Sequence, residues 1–362
     1  MELEERLAWV GLSMVKGIGP ARFRRLVAHF GSAQAAWQAS RGALLAARLP
    51  EGVADALLGL RSRLNLRLLW EQWQQQGIAV LTWEDGEYPQ RLKRIDSPPP
   101  VLYVRGRLQD GDDWAVAVVG TRKMSAYGRR VAEDVAAVLA RHGVTVVSGL
   151  ARGVDATAHR AALRGGGRTL AVLGSGVDVI YPPEHRRLAA EIANQGALLS
   201  EFPPGSKPEA GNFPQRNRII AGLSLAVVVV EAGRKSGALI TASFAADQGR
   251  DVFAVPGNIY AGGCEGTNWL LSQGAAPLTR PEDVLDALDV TLLTRQREAR
   301  RTLPEDTTER RLLDLLGEEP LHLDEISARS GLPVAQVTAT LTLMELKGLV
   351  RQVGGMQYVV AK

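Results

Sequence analysis

The stretch LAVVVVEAGRKSGALITASFAADQGRDVFAVPG, residues 225–257, decides the fold. Residues 225–232 are apolar and β-branched almost throughout, and 251–257 repeat that texture. Neither run alternates polar with apolar, which is the pattern of a strand covered on both faces. Between them lie a glycine- and serine-rich turn, GRKSG, and a helical segment. Strand, turn, helix and strand in that order make a parallel crossover unit.

The same rhythm extends outward. WAVAVVG (114–120), VTVVSG (144–149), TLAVLG (169–174) and ALLSEF (197–202) read as further strands, with helices between them such as YGRRVAEDVAAVLARHG. IAVLTW (78–83) and VLYVRG (101–106) precede them, and SPPP (97–100) demands extended backbone. The expected fold is α/β: an extended Rossmann-like, doubly wound, mostly parallel sheet over residues 76–290.

Ligands of such sheets bind outside the carboxyl ends of the strands. The segments found there are GTRKMSAYG, SGLARGVD, GSGVD and EAGRKSGALITA, each rich in glycine or serine and each expected to open a helix. Backbone N–H groups at helix starts suit anions. Gly120, Gly149, Gly174 and Gly176 allow close backbone approach. Arg122, Lys123 and Lys235 add full charges. Several such mouths in one row suit a polymer backbone, and the loops alone leave a small nucleotide equally open.

A second stretch, FPQRNRIIAG (213–222), follows a long polar loop that carries Lys207. Pro214 is expected to stop any helix before it, so that Arg216, Asn217 and Arg218 begin a new one. Guanidiniums suit phosphates or base edges. Phe213 could stack on an unpaired base, worth about 1–3 kcal/mol. The alternative is a core anchor at Phe213 and an arginine paired with Glu201 or Glu231. One structural and one functional arginine is the reading adopted.

Flanking the sheet, residues 1–75 read as a helical domain. Gly17-Ile18-Gly19-Pro20 breaks its pattern as a helix–hairpin–helix would, with Pro20 in a first helical turn. Such hairpin amides can contact a phosphate, or the segment is an ordinary turn. Residues 291–306 form an expected linker. Residues 307–362 read as three helices and a hairpin around Gly354-Gly355, a winged helix.

The chain has 362 residues, net charge +4 and 46% apolar residues, enough for two or three domains. No apolar run reaches the ~18 residues of a membrane span, and MELEERLAWVG lacks the basic start of a signal peptide. Cys264 is the only cysteine, which excludes an internal disulfide framework and multi-cysteine metal sites. A cytoplasmic protein is expected. Only seven of the 43 basic residues are lysines, and Lys123, Lys207 and Lys235 all fall where phosphates would bind.

Catalytic signals are weak. The five histidines are scattered. Asp155 and His159 stand four apart on an expected helix and would face each other in a structural hydrogen bond. GRKSG departs from a phosphate loop at Arg234, and GSGVDV lacks the third glycine of the dinucleotide fingerprint.

Taken together, GTRKMSAYG, SGLARGVDATAH, LAVLGSGVDVIYP, LLSEFPPGSKP, FPQRNRIIAGLS, the opening stretch and GTNWLLSQGA resemble the DNA-processing protein A (DprA, or Smf) family. The resemblance reaches back to YPQRLKRIDSPPPVLYVRG and covers about 200 residues. It implies a homodimer that binds and protects single-stranded DNA entering by natural transformation and loads the RecA recombinase. A single-strand-binding protein would be a further partner. No enzymatic activity, cofactor, metal or membrane is implied. Arg122 and Lys207 would contact phosphates and Phe213 a base. Arg216, Asn217, Arg218, Ser175, Gly176 and Lys235 would line the same groove, with Lys123, Ser148, Gly149 and Ser236 on the loops around it. Two other classes stay open on the residues. One is a nucleotide or ribose-phosphate hydrolase using Glu231 as its acid. The other is a winged-helix regulator that senses a nucleotide.

Overall fold

The computed structural model describes residues 1–288, 307–316, 320–346 and 349–360. Met1–Val284 and Leu285–Lys362 are two compact units. The expected linker, 291–306, lies outside the described residues.

In the first unit, six helices come first: α1 (Leu3–Ser13), α2 (Pro20–Phe30), α3 (Ala33–Gln38), α4 (Arg41–Ala46), α5 (Glu51–Arg63) and α6 (Leu66–Gln75). Pro20 is the first residue of α2, where its missing N–H costs no hydrogen bond. Gly17 turns the hairpin at φ 96°, a conformation that disfavours any side chain. These helices do not form a core of their own. Trp9, Phe23 and Trp83 pack ring against ring, with centroids 4.7 to 5.6 Å apart. Trp73 stacks edge-on against Tyr103 at 5.4 Å. Arg6 donates to the Val80 carbonyl at 2.8 Å and pairs with Asp85 at 2.5 Å. One hydrophobic core therefore runs from the helical front into the sheet.

The sheet has nine strands: β1 (Ile78–Thr82), β2 (Val101–Gly106), β3 (Ala115–Val119), β4 (Thr145–Ser148), β5 (Thr169–Val172), β6 (Ala197–Ser200), β7 (Ala226–Val229), β8 (Asp251–Ala254) and β9 (Ala276–Pro277). Their order is β1-β2-β6-β5-β4-β3-β7-β8-β9. β1 and β2 pair antiparallel, as do β2 and β6, and all other pairs are parallel. Every residue of β3 to β7 is buried, the condition that unbroken apolar runs imply. β9, two residues long and ending in proline, left no legible run in the sequence.

Seven more helices join these strands. α7 (Gln90–Lys93) precedes β2. α8 (Ala126–Arg141), α9 (Val154–Arg164) and α10 (Arg186–Gln195) carry the chain from β3 out to β6, while α11 (Asn212–Leu223) carries it back to β7. α12 (Gly237–Asp247) leads to β8 and α13 (Glu265–Ser272) to β9. Right-handed crossovers running in opposite directions place α8 to α10 on one face and α11 and α12 on the other. GSGVD does not open a helix directly, contrary to expectation, since eleven residues separate Gly174 from α10. The prolines Pro182 and Pro183 fall in that interval, where they cannot continue a helix.

Asp155 and His159 both lie on α9 but bond elsewhere. Asp155 accepts from the backbone of Gly149 and Ala151, at 3.1 and 3.3 Å. His159 Nδ1 meets Thr169 Oγ1 at 2.6 Å. Thr169 Oγ1 donates to the Val146 carbonyl, so the imidazole proton sits on Nδ1. The two side chains face different strands, which helical spacing alone does not reveal.

The second unit holds helices Thr307–Leu315, Leu323–Ser330 and Val334–Leu346 and a three-stranded antiparallel sheet. The hairpin strands Val350–Gly354 and Gln357–Val360 form the wing, and Gly355 turns it at φ 56°. Leu312, Ile326, Val337, Leu341 and Met344 make a separate small core.

His159 is wholly buried, and burial, then the charges of His185, Arg216 and Arg160, push its pKa from 6.5 down to about 3. Unfolding between those two pH values therefore takes up a proton. Stability must fall as pH drops from about 6.5, and this group contributes no pH dependence above that. Denaturant titrations from pH 7 to pH 4 should show a shallower acid slope for His159→Gln than for the parent chain. Equal slopes would place the imidazole's protonation elsewhere.

Candidate nucleic-acid interface

The chain leaves β3 toward β6 and returns to β7 on the opposite side. β3 and β7 are thus the switch point, where a crevice opens outside the carboxyl ends. A cleft of about 840 Å³ lies there. Its walls come from Val119 at the end of β3 and Gly120, Thr121 and Arg122 after it, from Lys235 and the first turns of α12 after β7, and from Phe213, Arg216 and Asn217 of α11. That volume is toward the upper end of the ~300–1,000 Å³ usual for ligand pockets.

α11 begins at Asn212, two residues before Pro214. Pro214 therefore does not stop the helix. It occupies the first turn, where the backbone N–H would have no intrahelical partner anyway. This start places Phe213 on the cleft wall rather than in a preceding loop. Asn212 Nδ2 donates to the Gly174 carbonyl at 3.1 Å. A Cβ at Gly174 would stand 2.8 Å from the Phe213 ring, so the GSG segment makes room for that ring. The Arg122 guanidinium lies over the ring, 5.9 Å from its centroid. Tyr181 sits 5.7 Å away with the ring planes tilted by 43°. Tyr181 is a site residue that sequence reasoning missed. Its signal was an aromatic directly before two prolines.

Arg216 is 5% exposed. Its Nη1 donates to the Gly149 carbonyl at 2.8 Å and to the Val172 carbonyl. A Cβ on Gly149 would lie 2.6–2.7 Å from the guanidinium, so Gly149 is what admits it. Burial, opposed by the charge of Asp155, lowers the Arg216 pKa to about 10, which still leaves it charged at neutral pH. Asp155, 6% exposed, is raised by burial and held down by Arg216. The two are buried charges of opposite sign in the lining of the cleft. Leu150, directly after Gly149 in the chain, adopts the left-handed conformation at φ 57°, and its carbonyl faces His185 Nδ1 at 2.9 Å.

Arg218 points away from the cleft. It grips Glu201 through both Nη atoms at 2.6 and 2.7 Å and donates to the Ser97 carbonyl. Arg218, like the buried Arg216, is thus engaged in holding structure, where one structural and one functional arginine were expected. Asn217 Nδ2 bonds the Gly237 carbonyl at 3.1 Å from its place on the cleft wall. Ser236 Oγ caps α12. Lys235 and Arg122 are exposed cleft residues, while Lys123 and Lys207 are exposed but stand outside its lining. Ser148 Oγ donates to the Val118 carbonyl and Ser175 Oγ to that of Val179, and both serines are buried. Gly149 and Gly176 are buried too, and Gly176 N donates to Ser206 O. These four lie behind the surface and shape it.

Glu231, the acid a hydrolase would need, is not part of the cleft lining. It is 6% exposed and accepts from Ser125 N and Ser125 Oγ at 3.0 and 2.9 Å. Gly128 and Gly263 close over its carboxylate. Its role is to fix the start of α8. Among the described residues no cluster of His, Cys, Asp or Glu could hold a metal ion, and no helix is long and apolar enough to cross a membrane.

Fold and cleft together define a Rossmann-like protein with a cleft at its switch point, and a winged-helix unit. The chain belongs to the DNA recombination-mediator protein A family, DprA/Smf, whose model matches residues 79–289. A DprA winged helix domain matches residues 296–356 and a DprA-like N-terminal HHH domain residues 3–40. The chain is 42% identical to Protein Smf of Synechocystis over 99% of both chains. It resembles the X-ray structure of DprA from Streptococcus pneumoniae with a TM-score of 0.69 and 34% identity, over 79% of this chain and 98% of that one. The Helicobacter pylori DprA, whose structure describes a single-stranded DNA binding mode, matches at a TM-score of 0.53 and 31% identity, over 58% of this chain and 95% of that one.

Glu201→Ala leaves Arg218, whose side chain is 12% exposed, without its carboxylate. The loss should be about 1.5–3 kcal/mol of unfolding free energy. Lys235→Ala removes an exposed charge and should stay within about 0.5 kcal/mol. Denaturant midpoints measure both, and equal losses would refute the division between structural and free cations.

Proposed function

We propose that the switch-point cleft binds single-stranded DNA. On this reading the chain acts as a homodimer in the cytoplasm, protects DNA taken up by transformation and hands it to RecA, with a single-strand-binding protein as a further partner. The observation that carries the proposal is the pairing of exposed cations that have no carboxylate partner among the described residues with stackable rings at one crevice. Arg122 and Lys235 are exposed in the loops after β3 and β7, and the rings of Phe213 and Tyr181 line the same cleft 5.7 Å apart. Cation beside aromatic along a groove suits an unpaired strand, because every base has a stacking face and every linkage a charge. A helix start, α12 after Ser236, adds backbone N–H groups to the same wall. Lys123 and Lys207 extend the positive path beyond the cleft. The family membership and the ligand of the Helicobacter relative support the same reading.

Binding of oligo-dT measured against salt tests it. Each phosphate neutralised contributes a slope of roughly −0.7 in log K against log salt. Arg122→Ala with Lys235→Ala should weaken binding and flatten the slope by roughly 1.4. A preference for duplex in the parent chain, or an unchanged slope in the double variant, would overturn the assignment.

Phe213→Ala should act differently. It should cost about 1–3 kcal/mol of binding, a loss of roughly 5- to 150-fold, with the salt slope unchanged because stacking releases few counterions. Unaltered affinity would show that the ring serves packing alone.

A further inference from the structure

A second group of arginines lies at the other end of the sheet. Arg91 is on α7, Arg94 caps it, and Arg250 stands immediately before β8. Leu92 and Ile95 of the same segment rest against Gly222 in the last turn of α11, which leads into β7. Asp113, two residues ahead of β3, is the carboxylate that acts on Arg91. The cluster therefore sits beneath the amino-terminal starts of β3, β7 and β8. The cleft opens from their carboxyl ends, roughly 15 Å away at ~3.3 Å per strand residue.

Two of the guanidiniums, those of Arg91 and Arg250, are poorly compensated. Arg91 and Arg250 are half-buried, and each has an Nε that is sealed from solvent and has no hydrogen-bond partner. A stranded donor of this kind is costly, more so on a charged group. Burial, then the like charges of Arg91 and Arg94, lower the pKa of Arg250. Arg91 is lowered by burial and by Arg94 and supported only by Asp113. A purely structural role would have them complement the carboxyl ends of α11 and α12. Guanidiniums in that role hydrogen-bond the last carbonyls of the helix. Here two Nε donors bond nothing.

We infer that Arg91, Arg94 and Arg250 form a second anion site, separate from the cleft, that receives a phosphate group. Three forked donors around one tetrahedral oxyanion would satisfy the stranded N–H groups and cancel the mutual repulsion at once. The guanidiniums re-aim to reach it, because the two Nε atoms are shielded in the resting arrangement. The same chemistry fits free inorganic phosphate or a phosphodiester of a bound strand.

The test uses the full chain. Thermal unfolding is followed in sodium phosphate and in sodium chloride of equal ionic strength. It is done in the parent, in Arg122→Ala/Lys235→Ala to remove phosphate taken by the cleft, and in that double variant with Arg91→Gln, Arg94→Gln and Arg250→Gln added. Phosphate should raise the Tm of the first two relative to chloride, and the rise should vanish in the third. Arg94→Gln alone, at an exposed position, should reduce the rise without lowering the Tm in chloride and so guards against misfolding of the multiple variant. The source is distinguished by oligo-dT of increasing length. If the ligand is a phosphodiester, the three glutamine substitutions flatten the salt slope on long oligomers by up to about 2, at roughly 0.7 per contact. If it is free phosphate, the slope is untouched while the phosphate-dependent rise is still lost. No phosphate-specific rise in the double variant, or a rise that survives all three substitutions, overturns the site. Neither result bears on the cleft, whose own variants report separately.

Discussion

The cleft depends on one buried cation. Arg216 reaches from α11 under the sheet's carboxyl edge and is held by carbonyls following β4 and within β5. A guanidinium taken out of water is tolerable only when it is hydrogen-bonded and its charge is balanced. Two backbone carbonyls supply the bonds and Asp155 the charge. Gly149 supplies the space, since any side chain there would collide with the guanidinium. This anchor sets where α11 begins and how it is turned. Phe213, Asn217 and the cleft wall follow from it.

Around that anchor the cations divide by burial. Arg216 is interior, Arg218 is clamped to Glu201, and Arg122 and Lys235 stand in solvent without carboxylate partners among the described residues. Only the last kind can exchange small counterions for a polyanion at little cost. The acids are arranged to match. Glu201, Asp155 and Glu231 are each committed to a structural partner, so none presents a free negative charge to a strand in the cleft.

The helical front is an extension of the sheet's own core. Trp9, Phe23 and Trp83 interlock across the boundary, and Arg6 bonds both the backbone of β1 and Asp85 beyond it. Aromatic side chains bury large areas, and sharing them means that neither part hides its apolar surface without the other. The antiparallel β1 and β2 are the graft point, since they cover the β6 edge that would otherwise be open.

Apart from the two-residue β9 and the GSGVD segment, which does not open a helix, the order of strands and helices, the helix–hairpin–helix front and the winged helix were legible in the sequence. Each rests on a local pattern: unbroken apolar runs, glycine-marked turns, and a proline at a helix start. Which arginine of Arg216-Asn217-Arg218 faces inward was not legible, because Glu201 and Gly149, which settle it, lie 17 and 67 residues away. Pro214 read as a helix stop because a proline in a first turn and one that ends a helix look alike until the flanking hydrogen bonds are known. Tyr181 joined the site only because a crossover brings it against Phe213. Sequence alone determined the elements, since those follow from neighbours along the chain. The tertiary structure decided which charges are free, since that depends on partners distant in sequence and near in space.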